Sequence, residues 1–240
     1  MPKKIKVAIG KTIWKLLLNT YPFNGDPLLK KTFCLLVEKI KPQAIIETGT
    51  YHGGSTSFIA KEFPNIPVYT CEIKESIYKK AAKLLGIYKN TEIYLDTSSD
   101  FLKKIIKEKE LSNKRVVFFL DAHWYDDWPL EKEIEIITNE IKSAVILIDD
   151  FKIPNNMYFH FDKYNNKECS LELIKPRMNI NNEYNMIFPN YTEGRLLLKY
   201  ISAMSGYVFI FQNLKSAFNR FLEQNSVKEH FTNGRISFEN

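Results

Sequence analysis

The chain has 240 residues, enough for one α/β domain with its own core and too few for two comfortable ones. A hydrophobic fraction of 45%, rich in Ile, Phe and Tyr, excludes disorder as the default, because such a composition buries enough apolar surface to offset chain entropy. The net charge of +6 comes from dispersed lysines such as Lys3, Lys79 and Lys103, whereas nucleic-acid binding calls for a concentrated basic face, so no nucleic-acid partner is expected.

The start is basic, but Lys11 and Lys15 interrupt the apolar stretch that follows, which argues against a signal peptide, and no stretch is apolar for long enough to span a bilayer. Cys34, Cys71 and Cys169 are few and far apart, as reduced thiols are, and a cytoplasmic setting is expected. Residues 26–41 read as a helix: Asp26 can cap, Pro27 suits the first turn, and Leu29, Phe33, Leu36, Val37 and Ile40 recur with helical period. Short β-type runs follow at 44–47, 68–72, 92–95, 115–121 and 144–149, most with an acid at or just past the end, and residues 129–141 form a helical pattern between two of them. Strand, helix and strand in alternation predict a Rossmann-like, doubly wound, mostly parallel sheet, here of seven strands, in one domain spanning 1–240. Residues 1–41 are expected as a helical cap and 42–212 as the core, with an Asn-rich excursion at 153–182 and further strands at 194–200 and 207–212. Residues 213–240 are expected as a C-terminal helix.

Ligands of such sheets bind beyond the C-terminal strand ends. There the first strand runs into Glu47-Thr-Gly-Thr-Tyr-His-Gly-Gly-Ser55. Gly49 and Gly53 allow close backbone approach, Ser55 opens a helix whose free N–H groups favour a carboxylate, and Glu47 supplies a charge for an ammonium. Glu72 ends the next strand, where a carboxylate can accept both hydroxyls of a ribose. The loop alone leaves open whether that ribose belongs to a dinucleotide or to S-adenosylmethionine.

Asp121 and the pair Asp149-Asp150 end two consecutive strands, which brings three carboxylates to one rim. Such a cluster calls for neutralisation, and a hard divalent cation such as Mg²⁺ suits its oxygen ligands; acids at strand ends can also cap helices or close turns. His123 is the leading candidate for a general base, with His52 and His160 behind it. Trp124, Tyr125 and Trp128 can wall an acceptor pocket or pack in the core.

On these residues the chain resembles the class I S-adenosylmethionine-dependent methyltransferases. Residues 47–55 and Glu72 are similar to the first two motifs of catechol O-methyltransferase and of the cephalosporin hydroxylase and rhamnosyl O-methyltransferase group, and the likeness covers roughly residues 43–152. It implies that Glu47, Gly49, Thr50, Tyr51, Gly53 and Ser55 border the methionine part of the cofactor, with Asp121 near its ammonium. It further implies that Glu72 binds ribose, that Asp96, Thr97 and Ser98 lie by the adenine, and that Asp121, Asp149 and Asp150 hold a metal. Catechol-type enzymes place a lysine near His123 and this chain does not, so the base stays open.

The expected activity is methyl transfer to a hydroxyl of a small molecule, with a sugar suggested by the second group alone. A nicotinamide-dependent oxidoreductase or epimerase and a non-catalytic cofactor-binding scaffold are the alternatives. The dinucleotide pattern Gly-x-Gly-x-x-Gly is absent. Self-association stays open.

Overall fold

The computed structural model describes residues 21–122, 128–190 and 204–238. A short 3₁₀ turn, Pro22–Gly25, leads into α1 (Pro27–Ile40). The Asp26 carboxylate caps α1 by accepting from the N–H groups of Leu28 and Leu29 at 2.9 and 3.1 Å. Pro27 occupies a first-turn position that needs no donor, and the expected stripe from Leu29 to Ile40 is buried.

The core follows as β1 (Ala44–Thr48), α2 (Gly54–Glu62), β2 (Val68–Glu72), α3 (Glu75–Leu85), β3 (Thr91–Leu95), α4 (Ser98–Glu108), β4 (Arg115–Leu120), α5 (Leu130–Glu140) and β5 (Ser143–Ile148). All five strands pair in parallel, and every residue of β1 and β2 is buried. This is why they read as apolar runs rather than alternating ones: helices cover both faces of the sheet.

Beyond β5 come β6 (Phe159–His160), β7 (Lys163–Tyr164), β8 (Lys167–Glu168), α6 (Leu171–Ile174), β9 (Tyr184–Pro189), β10 (Met204–Ser205), β11 (Val208–Gln212), α7 (Lys215–Leu222), α8 (Asn225–His230) and β12 (Phe231–Ile236). The main sheet has eight strands in the order β12-β9-β11-β5-β4-β1-β2-β3, not seven. Two of them, β9 and β12, match no expected strand; β12 pairs antiparallel with β9 and lies in the stretch expected to be a C-terminal helix. Its sequence, Phe-Thr-Asn-Gly-Arg-Ile, carries no apolar run, because an edge strand needs a ladder on one side only. The tail is therefore two short helices and a strand.

The excursion is not irregular throughout. Asn165 and Asn166, both at left-handed φ (47° and 66°), form the two-residue turn of the β7–β8 hairpin, as that turn type requires. Strand β9 had no counterpart in the expected elements, and the strand expected at 194–200 lies outside the described residues. Because β1 pairs with β2 on one side and β4 on the other, the chain reverses its direction of travel across the sheet there. The crevice opens at the C-terminal ends of β1 and β4.

Candidate active site

The turn after β1 depends on Gly49. Its φ is +86°, and a Cβ there would lie 2.5 Å from the Asp121 carbonyl oxygen, so the ends of β1 and β4 come together only over a glycine. The N–H groups of Gly49 and Thr50 both donate to the Cys71 carbonyl, at 3.1 and 2.9 Å. Tyr51, at φ 46°, donates its N–H to Glu72 Oε2 at 3.0 Å, while Glu72 Oε1 accepts from the N–H of Lys74 at 2.9 Å. Glu72 is thus pinned at the mouth of the crevice. Ile73 beside it is 64% exposed, an apolar face at a strand end that no sequence pattern marks, because one apolar residue has no period.

Glu47 is buried and accepts hydrogen bonds from the Thr56 hydroxyl and, at 3.0 Å, from that of Thr70. Burial nevertheless pushes its carboxyl up to about 7. Thr50 is drawn into the same network, its hydroxyl 2.6 Å from that of Thr70. Gly53, at φ +79°, is the N-terminal cap of α2, and the Ser55 hydroxyl oxygen accepts from the N–H of Phe23 at 2.9 Å, tying the N-terminal turn to the loop. Asp96 lies beside Glu72, its N–H donating to the Glu72 carbonyl at 3.2 Å. Thr97 caps α4 by accepting from the N–H of Asp100 at 3.2 Å, and Ser98 is the first residue of that helix, almost fully buried.

The acids converge as their strand positions predict. Asp121 donates its N–H to the Thr48 carbonyl and Asp149 its N–H to that of Leu120, at 3.0 and 3.1 Å, which stitches the ends of β1, β4 and β5 together. One oxygen from each of Asp121, Asp149 and Asp150 lies within 4.8 Å of the others. Burial first, then mutual repulsion, raises the carboxyls of Asp121 and Asp149 far above the ordinary range. Asp150, at left-handed φ 49°, is also raised by burial, against a hydrogen bond from Ser205.

Three groups join this rim that the sequence did not announce. Asn24 donates its amide to Asp149 Oδ2 at 2.9 Å from the turn before α1. Ser205 arrives from β10, and Asp162 arrives from the excursion, with its N–H on the Asp150 carbonyl at 2.9 Å. Burial and the charge of Asp150 push Asp162 up to about 6. The Asn24-Gly25 pair signals a turn, but nothing local says where the turn docks.

His123, Trp124 and Tyr125 lie outside the described residues. His52 packs its ring on Tyr51 at a centroid distance of 4.0 Å, and His160 is an exposed residue of β6. Trp128 meets Tyr164 edge-to-face at 5.5 Å in a cleft of about 380 Å³ that also includes Glu131, Lys132, Glu135 and Asn165. Lys167 and Arg177 line this cleft too, and both pair with Glu131. The Tyr164 hydroxyl donates to Asp162 at 3.3 Å, so the wall of this cleft adjoins the acid rim.

No protein-family model matches the sequence, and no curated protein matches it. Solved structures do. An O-methyltransferase from Bacillus cereus in complex with SAH superposes with a TM-score of 0.56 at 16% identity, over 88% of this chain and 92% of that one. The chain shares the Rossmann-like fold of that protein. A Staphylococcus aureus protein provisionally assigned as a caffeoyl-CoA O-methyltransferase gives 0.54 at 15%, over 86% and 91%. The cofactor-bound Rv0187 from MTB gives 0.55 at 16%, over 87% and 90%. At such identities the likeness establishes the fold alone. Among the described residues no helix is long and apolar enough to cross a membrane.

Proposed function

We propose that this chain is an S-adenosylmethionine-dependent O-methyltransferase that uses a divalent cation at Asp121, Asp149 and Asp150 and acts on a hydroxyl of a small molecule. The observation that carries the reading is the position of those acids: one buried and two half-buried carboxylates at the crevice beside the cofactor loop, with oxygen atoms close enough to share one ion. The donor set is all oxygen and anionic, which fits a hard cation such as Mg²⁺; Asn24 and Ser205 hydrogen-bond to it, and Asp162 adds a fourth acid near Asp150. When bound, such a cation lowers the pKa of a coordinated hydroxyl and orients its oxygen.

The cofactor supplies the electrophilic methyl group; the chain's own residues hold its other parts. Glu72, fixed by the N–H groups of Tyr51 and Lys74, presents its remaining lone pairs to the ribose hydroxyls. Ile73 offers an apolar face to the adenine, with Asp96, Thr97 and Ser98 around its edge. The first turn of α2, opened by Gly53, directs N–H groups toward the methionine carboxylate, while Gly49 keeps the floor low enough for a ligand. The proton lost by the acceptor passes to a base, for which His123, two residues beyond Asp121, is the proposed group. The cleft between Trp128 and Tyr164 favours a sugar as acceptor, since aromatic rings pack on sugar faces and its charged rim both donates to and accepts from hydroxyls.

Calorimetry with S-adenosylhomocysteine, in Mg²⁺ and in EDTA, together with a methyl-transfer assay over sugars and phenols, tests this. Absence of binding under every condition sinks the enzyme class; activity indifferent to EDTA and to Asp149→Asn sinks the metal site.

A further inference from the structure

A second polar cluster lies where α5 packs on the end of β1. Glu133, in the first turn of α5, is fully enclosed, although its neighbours Leu130, Ile134 and Ile137 form an apolar core face. The hydroxyls of Ser98 and Thr48 lie beside it and hold its carboxyl down against the larger effect of burial. Among the described residues none of the three side chains completes a hydrogen bond of ordinary geometry: both Glu133 oxygens, Thr48 Oγ1 and Ser98 Oγ are buried without a partner there.

Buried polar groups without partners are rare, and an apolar side chain would fill this position better on grounds of folding alone. Where a chain breaks a local rule in this way, a functional demand is the usual reason.

The two hydroxyls are not arbitrary ones. Thr48 is the last residue of β1, immediately before Gly49, whose positive φ shapes the cofactor turn. Ser98 is the first residue of α4, directly after Asp96 and Thr97. One side chain of α5 therefore faces both segments that border the crevice from different strands. We infer that Glu133 is a positioning residue for the cofactor: it sets the spacing between the end of β1 and the head of α4 through Thr48 and Ser98, at a cost to the stability of the fold. The inference rests on the proposed cofactor role of those two segments. A neutral carboxylic acid can both accept from one hydroxyl and donate to the other, and burial pushes Glu133 up to about 7, which leaves much of it protonated at neutral pH.

A positioning role and a packing role move two measurements in different directions. In Glu133→Leu, an apolar side chain of similar length removes the unpartnered oxygens, so the ligand-free protein melts higher than the wild type. It binds S-adenosylhomocysteine more weakly by about tenfold, because nothing spans the two hydroxyls. Glu133→Gln keeps a donor and an acceptor and stays within about threefold of wild-type affinity. Thr48→Val weakens binding as well, and combined with Glu133→Leu it adds little further loss, since both remove the same link.

The measurements are thermal melts without ligand and calorimetric titration of all four variants with S-adenosylhomocysteine. Glu133→Leu with unchanged affinity, or with a lower melting temperature alongside weaker binding, overturns the inference, as does full additivity with Thr48→Val. If the wild type itself binds no S-adenosylhomocysteine, the proposed enzyme class fails first; a wild type that binds while Glu133→Leu binds equally refutes the positioning role alone.

Discussion

Gly49→Ala is the most direct test of how the crevice is built. At φ +86° an alanine sits where L-residues are strained, at a cost of about 1–2 kcal/mol. Its Cβ would meet the carbonyl oxygen of Asp121 at 2.5 Å, the carbonyl carbon at 2.8 Å and the nitrogen of Ala122 at 3.0 Å. These are backbone atoms with no rotamer to change, so the end of β4 must retreat by roughly 1 Å, an overpacking cost of about 1–3 kcal/mol. Together the two effects come to about 2–5 kcal/mol, and for a chain of this size each kcal/mol lowers the melting temperature by about 2–4 °C.

The displaced segment carries Asp121, so binding of S-adenosylhomocysteine should fall with stability rather than survive it. Gly86→Ala is the control: Gly86 has an ordinary helical φ of −59°, and a Cβ there meets the Ala82 carbonyl at 3.3 Å, a contact that small adjustments relieve. Scanning calorimetry and ligand titration on both variants decide the matter. A Gly49→Ala protein that melts within about 1 °C of the wild type and binds S-adenosylhomocysteine equally would refute the close-approach argument.

Asp149→Asn removes the buried member of three mutually repelling carboxylates, so in EDTA it should melt several degrees higher than the wild type, while Mg²⁺ should stabilise the wild type and leave the variant unmoved; equal Mg²⁺ responses would count against a shared ion. Glu47 and Glu133 both have native pKa values near 7, raised by burial from 4.5. A raised native value means that the stability each contributes is complete below about pH 4.5 and is lost as pH climbs through about 7, on the order of 3 kcal/mol per group. The metal-free melting temperature should therefore fall between about pH 5 and pH 8, and Glu133→Gln should flatten part of that slope; identical slopes would contradict the assignment to Glu133. Glu72→Gln should weaken S-adenosylhomocysteine binding by at least about tenfold and also lower the melting temperature, since an amide has one acceptor oxygen and cannot serve the N–H groups of both Tyr51 and Lys74; unchanged affinity in isothermal titration would remove Glu72 from the site.

The sequence by itself determined the elements whose information is local. Continuous apolar runs ending in acids located β1, β2, β4 and β5, because strands buried on both faces must be apolar along their length. Asp26 and Pro27 marked the start of α1, and the glycines of residues 49–53 marked a turn of unusual backbone shape. The rule that consecutive parallel units lie side by side holds for β4 and β5, which is why Asp121 and Asp149 could be expected at one rim, but not for β3 and β4, which β1 and β2 separate.

Tertiary structure decided whatever depends on partners distant in sequence. Strand β12 is polar and exists because β9 offers it a ladder, so no property of residues 231–236 distinguishes them from a helical tail. Asn24 meets Asp149 across 125 positions, and Asp162 reaches Asp150 from a segment with weak periodicity; the docking of a turn or an excursion is set by the surface it lands on. Glu133 carries the same lesson. Its spacing places it on the buried side of α5, but only the packed sheet shows that two hydroxyls from other strands and helices meet it there. Local pattern encodes what one segment can bury, whereas a site is a meeting of segments, and that meeting is settled by the packing of the whole chain.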